Sequence, residues 1–137
     1  MGIFSPIIID VSPSSFVFSS PKTTLQLDTY LWVDTTHESV SVVAIGEDVD
    51  EVLNIKRVDL FKGSDYPSIS GGKTMYLEAF LRYGIYKIRS SFVVSLFKRS
   101  TVVFRGAETL ESILGGYQEG ILDHIARMAG AAKVLFE

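Results

Sequence analysis

The first part of the chain alternates between short apolar runs and turn residues, which is the pattern of β-strands. Residues 6–11 form an apolar run that contains one aspartate, and a Ser-Pro-Ser-Ser turn separates it from the aromatic and β-branched run 16–18. The two runs are therefore predicted to form a hairpin. Residues 23–33 alternate apolar and polar side chains, and they predict a third strand with unlike faces. Two further β-rich runs, 39–46 and 55–60, follow.

The pattern changes to helical spacing at Lys73. Between Lys73 and Arg89 apolar residues recur every three or four positions, and they predict a helix of about four to five turns. Residues 91–97 are predicted to carry the end of this helix into a loop. The predicted buried face of the helix consists of Leu77, Phe80, Leu81, Gly84, Ile85 and Ile88.

A second helical segment is predicted over residues 108–130. The pair Gly115-Gly116 should weaken or kink it, because each glycine costs about 1 kcal/mol relative to alanine in a helix interior. The alternative is a loop followed by a helix from about Tyr117. Gly130 stands where a left-handed helix cap belongs. The predicted inward positions are Leu110, Leu114, Tyr117, Ile121, Leu122, Ile125 and Met128.

Short apolar runs at 101–104 and 133–136 predict two more strands, which alternate with the two helices. This order predicts an α/β fold with a mixed five-stranded sheet, ordered 3-2-1-4-5 and covered by helices, as in ribonuclease-H-like proteins. Residues 1–34 and 61–137 would form the core of a single domain, and residues of about 35–60 would form a small β-rich insertion.

The composition excludes several classes of site and partner. The chain has 137 residues and no cysteine, so it carries neither a disulfide nor a thiolate metal site. A formal net charge of −3, with basic and acidic residues interspersed, gives no electrostatic footprint for nucleic acid. The apolar runs are too short to span a bilayer and the amino terminus does not resemble a secretion signal, so a cytoplasmic protein without a transmembrane segment is predicted. With 47% apolar residues, the surface is expected to carry apolar patches that bind partners.

Few residues are arranged for metal binding. The carboxylates at 47–51 lack the spacing of a calcium loop and are predicted to form a solvated turn or short helix. His37 is predicted to be solvated, and His124 to lie at the surface or at a helix contact, because neither has a metal-ligand neighbour at helical spacing. No metal site is therefore predicted.

The motifs of enzymes are incomplete. Gly-Gly-Lys-Thr at 71–74 lacks the first glycine of the Walker motif and follows a loop, so it is predicted to begin a helix. Asp10 is expected at the carboxyl end of the central strand, where open sheets bind ligands. Asp10 and Glu78 could supply two carboxylates of a two-metal nuclease, but the strand 101–104 supplies none. The favoured role for Asp10 is to cap the turn that follows its strand.

Five segments, in a shared order and spacing, resemble MreB-type bacterial actins over nearly the whole chain. MGIFSPIIIDVS at 1–12 is similar to the start of the family, and TYLWV at 29–33 with VVAIGED at 42–48 is similar to its paired strands. AFLRYGIYKI at 79–88 resembles the first helix of the family, and AGAAKVLFE at 129–137 resembles its Ala-Gly-Ala-Arg-Lys-Val segment. The resemblance implies the first half of an actin, subdomain IA with a small subdomain IB, so that the chain would be a single truncated actin-like domain.

The departures from the family pattern lie at its nucleotide site. The family has a glycine-bearing turn after the first strand, so that N–H groups reach the phosphates; this chain has Ser12 and then Pro13, which has no N–H. Asp10 matches the aspartate that helps to organise the family's metal ion, and Gln118 falls on the position of its water-positioning glutamate. The chain also ends at Glu137, before the family's second phosphate loop. Asp10, Ser12 and Gln118 are therefore predicted to be vestigial nucleotide-site positions, with no catalytic residue and no resident cofactor.

These departures predict a non-catalytic actin-like assembly or scaffold protein, linked to cell shape or to cytoskeletal filaments. The expected partner is a second copy of the chain or another actin-like protein, and a homo-oligomer is expected. Two alternatives stay open. One is a protein that binds Mg-ATP weakly and completes its site with a partner chain, and the other is a cytoplasmic adaptor of pilus or division machinery.

Overall fold

The computed structural model describes residues 6–21, 23–34, 36, 41–46, 54–61, 73–89 and 101–137. The helices in these ranges are α1 (Lys73–Arg89), α2 (Glu111–Leu114) and α3 (Gln118–Met128), with a 3-10 turn at Ala107–Leu110 just before α2. The strands are β1 (Ile7–Val11), β2 (Ser15–Ser19), β3 (Thr24–Asp28), β4 (Tyr30–Asp34), β5 (Ser41–Ile45), β6 (Ile55–Asp59), β7 (Thr101–Arg105) and β8 (Lys133–Phe136). Some predicted features lie outside the described residues: the acidic stretch 47–51, His37, the segment 91–97, Gly71 and Gly72.

The described strands form two sheets. The larger has five strands in the order β3-β2-β1-β7-β8, and the smaller has three in the order β5-β4-β6. In the larger sheet β2 pairs antiparallel with β1 and β3, whereas β7 pairs parallel with β1 and β8. This is the predicted mixed five-stranded order, with β7 and β8 as its fourth and fifth strands, and it confirms the predicted α/β class. Helix α3 lies in the crossover between β7 and β8, as a parallel pair requires.

One face of the larger sheet, the core face, is apolar from edge to edge. The strand register aligns Ile9 with Phe18 on β2 and with Phe104 on β7. Helix α1 packs on β2, β3 and α3, and α3 packs on β8, so the helices cover this face. Because side chains alternate along a strand, the residues between these positions point to the opposite, outer face. The buried side chains of the core face include Ile7, Ile9, Val11, Phe16, Phe18, Val102 and Phe104.

Aromatic contacts around Phe16 join three parts of the molecule. The Phe16 ring meets Phe80 of α1 edge to face, with centroids 5.4 Å apart. It also stacks on Phe61, which follows β6, at 5.8 Å. Such pairs contribute about 0.5–1.5 kcal/mol each beyond the burial of their surface. The hairpin, α1 and the smaller sheet therefore share one core.

The prediction of one continuous strand over residues 23–33 is wrong. Strand β3 ends at Asp28 in the larger sheet, and β4 begins at Tyr30 and pairs with β5 and β6. Four successive residues of β4, from Tyr30 to Val33, are buried. The alternation that predicted one strand therefore spans two strands in different sheets. Residues 30–34 were predicted to belong to the core 1–34, but in the structure they form β4 of the smaller sheet.

Thr29 is the point at which the chain changes sheets. Its hydroxyl donates to the Pro13 carbonyl at 2.6 Å, and its N–H donates to the Ser14 carbonyl at 3.1 Å. Its own carbonyl accepts the N–H of Leu60 at 2.9 Å. Thr29 is only 7% exposed, and these bonds satisfy its polar groups at the point where the chain passes from the larger sheet to the smaller one.

Helix α1 has the predicted bounds, Lys73–Arg89, and every residue of its predicted inward face is buried. Gly84 lies against the ring of Phe18 on β2, and a Cβ added to Gly84 would stand 2.3 Å from Phe18 Cζ. The missing side chain therefore allows α1 to approach the sheet. No helix in the described ranges has both the length and the apolar character needed to cross a membrane.

The second helical segment follows the alternative of a loop and then a helix. Gly115 and Gly116 adopt positive φ values of 65° and 90°, and they separate α2 from α3. Gly130 has φ 114° and confirms the predicted left-handed position after the helix. Glycine tolerates these conformations because it has no Cβ.

Two predicted inward positions of this segment are wrong. Tyr117 is 66% exposed and Met128 is 54% exposed. Tyr117 lies in the break between α2 and α3, so the spacing of buried positions along a helix does not apply to it. The buried face of α3 runs through Gln118, Leu122, Ile125 and Ala126, and Met128 lies to one side of it.

Gly84→Ala should destabilise the fold. The added Cβ would overlap the fully buried Phe18 ring, and such overpacking lowers the free energy of unfolding by about 1–3 kcal/mol. Gly120→Ala in α3 is the matched control, because no atom lies within 4 Å of a Cβ added there. The control should leave stability unchanged or raise it by up to about 1 kcal/mol. Urea denaturation followed by circular dichroism measures both; equal effects would show that the Phe18 contact does not limit the packing.

Candidate functional site

The carboxyl ends of the three parallel strands bring three charged side chains together on the outer face. Asp10 on β1 is aligned with Arg105 on β7, and Asp10 Oδ1 lies 3.5 Å from Arg105 Nε. Glu137, the residue after β8, places its Oε1 4.0 Å from the same nitrogen. Asp10 thus lies where it was predicted, at the carboxyl end of the central strand, in a row of alternating charge.

Arg105 changes what Asp10 can hold. A cation bound to Asp10 would meet the positive charge of Arg105, and the repulsion between unit charges about 4 Å apart is about 1 kcal/mol in water and about 4 kcal/mol near a protein surface. The side chains of both residues are about half exposed, so the ion pair itself adds only about 0–1 kcal/mol to stability. Its main effect is local, because Arg105 places a positive charge between the carboxylates of Asp10 and Glu137. Across the described residues, no three His, Asp or Glu side chains are grouped to hold a metal ion.

The turn after β1 uses its own backbone donors. Ser12 N–H donates to the Ser15 carbonyl at 3.0 Å, and Ser15 N–H donates to Ser12 Oγ at 3.1 Å. The Ser12 hydroxyl donates in turn to the Ser15 carbonyl at 2.9 Å. Pro13 has no N–H. Three of the four residues 12–15 therefore have no N–H left for a phosphate, and the turn does not present the array of N–H groups that binds anions.

The turn is also held from its other side by Thr29. The carbonyls of Pro13 and Ser14 accept the hydroxyl and the N–H of Thr29, respectively. Each such bond is worth about 1 kcal/mol net, and a buried group left without its partner costs more. Opening the turn to expose its donors would therefore also disturb the junction between the two sheets.

A second turn, after β7, meets the same end of β1. Gly106 has φ 85°, and a Cβ added to it would stand 2.6 Å from the Val11 carbonyl oxygen. That oxygen accepts the hydroxyl of Thr109 at 3.1 Å. The sequence analysis did not identify Arg105 or Gly106 as site residues. The available signal was a charged residue and a glycine directly after a buried strand.

Gln118 is a buried polar residue at the start of α3. It is 7% exposed, and its Oε1 is buried without a hydrogen-bond partner. This oxygen therefore forms no bond to Asp10 or Ser12, although all three residues were predicted to belong to one vestigial site. A buried acceptor without a partner costs about 1–3 kcal/mol, so Gln118 retains a bonding capacity that the described fold does not use.

The other candidate residues serve the fold or the surface. Glu78 accepts a hydrogen bond from Arg82, four residues later on α1, at 2.6 Å. Arg82 also donates to the Met128 carbonyl at the end of α3 at 2.9 Å, so this pair links the two helices. His124 is exposed on α3. These contacts give Glu78 a structural role and place no described partner for catalysis beside His124.

A polar cleft of about 230 Å³ lies where the turn meets the smaller sheet. Arg57 on β6 crosses it: its guanidinium stands 3.9 Å from the centroid of the Tyr30 ring and 3.0 Å from Asp59 Oδ1. The charge of Arg57 is therefore already engaged by an aromatic face and a carboxylate. The residues that line the cleft are Ser14, Asp28, Thr29, Tyr30, Arg57 and Asp59.

The chain matches no protein-family model and no curated protein. These comparisons leave the resemblance to bacterial actins as a prediction. The observations that bear on function are therefore those of the structure: the self-bonded turn, the ion pair of Asp10 with Arg105 and the unpartnered oxygen of Gln118.

Substitution of Gln118 tests whether its unpartnered oxygen is used. Gln118→Met keeps the side-chain length and removes the buried acceptor, so the free energy of unfolding should stay equal or rise by about 1 kcal/mol. Gln118→Glu places a charge in the same position and should lower it by about 1–3 kcal/mol at neutral pH. Urea denaturation measures both variants. A clear loss of stability in Gln118→Met would show that the amide has a partner, such as a bound water.

Proposed function

We propose that this chain is an actin-like assembly or scaffold protein that acts through protein contacts and does not turn over ATP. The observation that carries the proposal is the turn 12–15. The N–H groups of Ser12 and Ser15 are bonded within the turn, and Pro13 has none. Phosphoryl transfer requires donors that are already positioned around the transferred group. The turn 12–15 does not provide such donors, because the N–H groups of Ser12 and Ser15 already form hydrogen bonds within the turn.

The architecture supports the actin-like part of the proposal. The larger sheet has the predicted strand order, and Asp10 lies near the carboxyl end of its central strand. The charge of Arg105 beside Asp10 supports the non-catalytic part, because it disfavours a metal ion at that carboxylate. The link to cell shape or to cytoskeletal filaments is part of the proposal and follows from the resemblance.

The outer face of the larger sheet supports a role in protein contacts. The strand register places Ile8, Val103 and Leu135 side by side on β1, β7 and β8. Leu135 is 43% exposed, Ile8 is partly exposed and Val103 is only 7% exposed, while α1 and α3 pack on the opposite face. Parallel sheets are usually covered on both faces. An apolar row on the parallel half of the sheet therefore favours association with a second copy or with another actin-like protein.

A second candidate function is weak Mg-ATP binding in a site that a partner chain completes. One observation favours it: the buried Oε1 of Gln118 has no partner in the described fold. A ligand or bound water that enters beside this buried oxygen would supply the missing donor. The self-bonded turn and Arg105 weigh against tight binding by one chain alone.

The purified protein is expected to release no phosphate from Mg-ATP above background. Ser12→Gly combined with Pro13→Thr should not create turnover, because donors from one turn do not surround a phosphoryl group. A phosphate-release assay on both proteins tests this, and calorimetric titration with Mg-ATP tests the second candidate, which would be set aside by a Kd weaker than about 1 mM. Hydrolysis by the wild type that is lost in Asp10→Ala would overturn the non-catalytic proposal.

Self-association is expected to raise the solution mass above the 15.2 kDa of one chain. The physical reason is the burial of the exposed apolar side chains of the outer face, Leu135 above all, which removes nonpolar surface from water. Size-exclusion chromatography with light scattering, over a wide range of protein concentrations, measures the mass. A monomer at every concentration would contradict assembly with a second copy.

A further inference from the structure

Strand β8 leaves one edge of the larger sheet unpaired among the described strands, because it stands last in the order β3-β2-β1-β7-β8. Its direction can be derived from one hydrogen bond: Glu137 N–H donates to the Phe104 carbonyl on β7 at 2.9 Å. Along a strand, successive residues direct their backbone polar groups to opposite sides. Val134 and Phe136 therefore present their N–H and C=O groups to the free edge.

The segment Lys-Val-Leu-Phe-Glu at 133–137 is complementary to itself when its direction is reversed. Antiparallel pairing centred on Leu135 places Lys133 opposite Glu137 of a second copy, and symmetry repeats this pair. Val134 then lies opposite Phe136 of the second copy, and Leu135 lies opposite its own counterpart. Opposite charges stabilise such cross-strand pairs, and so do apolar side chains that face each other.

The backbone groups fit the same register. Val134 and Phe136 of a second copy would form the hydrogen-bonded pairs, since both present their polar groups to the free edge. The Leu135 pair would then fall at a position without cross-strand hydrogen bonds, where Cβ atoms are about 4.5–5.5 Å apart. Leu135 is 43% exposed, so its contact with its counterpart would remove apolar surface from water.

Both charged residues of the segment can take a further partner. The side chain of Glu137 is 65% exposed, and its only described ion pair is the 4.0 Å approach to Arg105. Lys133 is exposed and forms no ion pair with the described residues. The charges that the reversed segment requires are therefore accessible at the sheet edge.

The other described sheet edges are less suited to self-pairing. Reversal of β3 about Gln26 places Thr24 opposite Asp28, which gives no opposite charges. Reversal of β6 about Val58 places Arg57 opposite Asp59, but these two side chains already form an ion pair with each other at 3.0 Å. Strand β5 contains no charged residue. Among the described edges, β8 is therefore the one whose complementary charges are not already paired with each other.

We propose that two copies of the chain pair antiparallel through β8, about a two-fold axis at Leu135, and so join their larger sheets into one. The arrangement is an isologous contact built by strand addition. It rests on the proposed role in assembly, and it specifies the partner as a second copy and the surface as the β8 edge.

Cysteine cross-linking tests the register directly, because the chain has no cysteine of its own. Leu135→Cys is expected to form a covalent dimer under mild oxidation, since the two thiols would face each other within the reach of a disulfide. Gln26→Cys on β3 and Val43→Cys on β5 are matched exposed controls on other edges, and they should stay at background. The Leu135→Cys dimer should be lost when oxidation is carried out in urea, which excludes cross-linking by chance collision.

Charge exchange tests the same pairing without a thiol. Lys133→Glu and Glu137→Lys should each weaken the association roughly tenfold, because two symmetry-related pairs change from opposite to like charge. The double variant Lys133→Glu/Glu137→Lys restores both pairs and should recover wild-type association in light scattering. Circular dichroism and urea denaturation confirm that all three variants are folded. A double variant as weak as the single variants would overturn the proposed register.

The outcomes separate the β8 contact from the proposed function. If the wild type associates, but the Val43→Cys or Gln26→Cys variant cross-links and the Leu135→Cys variant does not, the β8 contact is wrong and the role in assembly stands. If Leu135→Cys cross-links and the wild type hydrolyses ATP, the β8 contact stands and the non-catalytic role falls. A monomeric wild type without cross-linking overturns the β8 contact. The predicted absence of ATP turnover is then tested separately by the phosphate-release assay.

Discussion

Burial of the core face of the larger sheet determines where the other side chains of its strands point. Ile7 and Ile9 are fully buried on the central strand, and Phe18 and Phe104 are fully buried beside them. Because the side-chain period of a strand is two, a slip of one residue would expose this whole set, so the register is strongly specified. Asp10 and its neighbours on the outer face owe their positions to this constraint rather than to any interaction of their own.

In the turn after the central strand, backbone hydrogen bonds determine whether N–H groups are available to bind a phosphate. The same N–H groups can either close a turn or bind a phosphate, but they cannot do both. Ser12 and Pro13 favour the closed turn, one by supplying a hydroxyl that bonds to the backbone and the other by lacking an N–H. Thr29 then ties the turn to the junction of the two sheets. The polar groups that lie nearest the ligand-binding end of the sheet therefore serve structure.

The proposed self-assembly and the proposed absence of ATP turnover would share one physical basis, the outer face of the larger sheet. The outer face retains an apolar row and a row of alternating charge, in which Arg105 lies between the carboxylates of Asp10 and Glu137. Side chains arranged in this way suit a protein surface better than a metal ion, since charges of both signs lie within one row. The β8 edge is also suited to a protein contact, because its charges complement those of an identical strand in the reverse direction.

The order of strands and helices along the sequence, with the rules for their connections, predicted the strand order, and helical spacing predicted α1 over Lys73–Arg89. The pair Gly115-Gly116 predicted either a weakened helix or a break, and the structure has the break. The position of Asp10 followed from the strand order. Tertiary contacts decided the rest. Alternation over 23–33 carries no mark of the change of sheet at Thr29, since that depends on the carbonyls of the distant turn. The predicted order already placed β7 beside β1, but the register that aligns Arg105 with Asp10 was decided by burial of the core face on both strands.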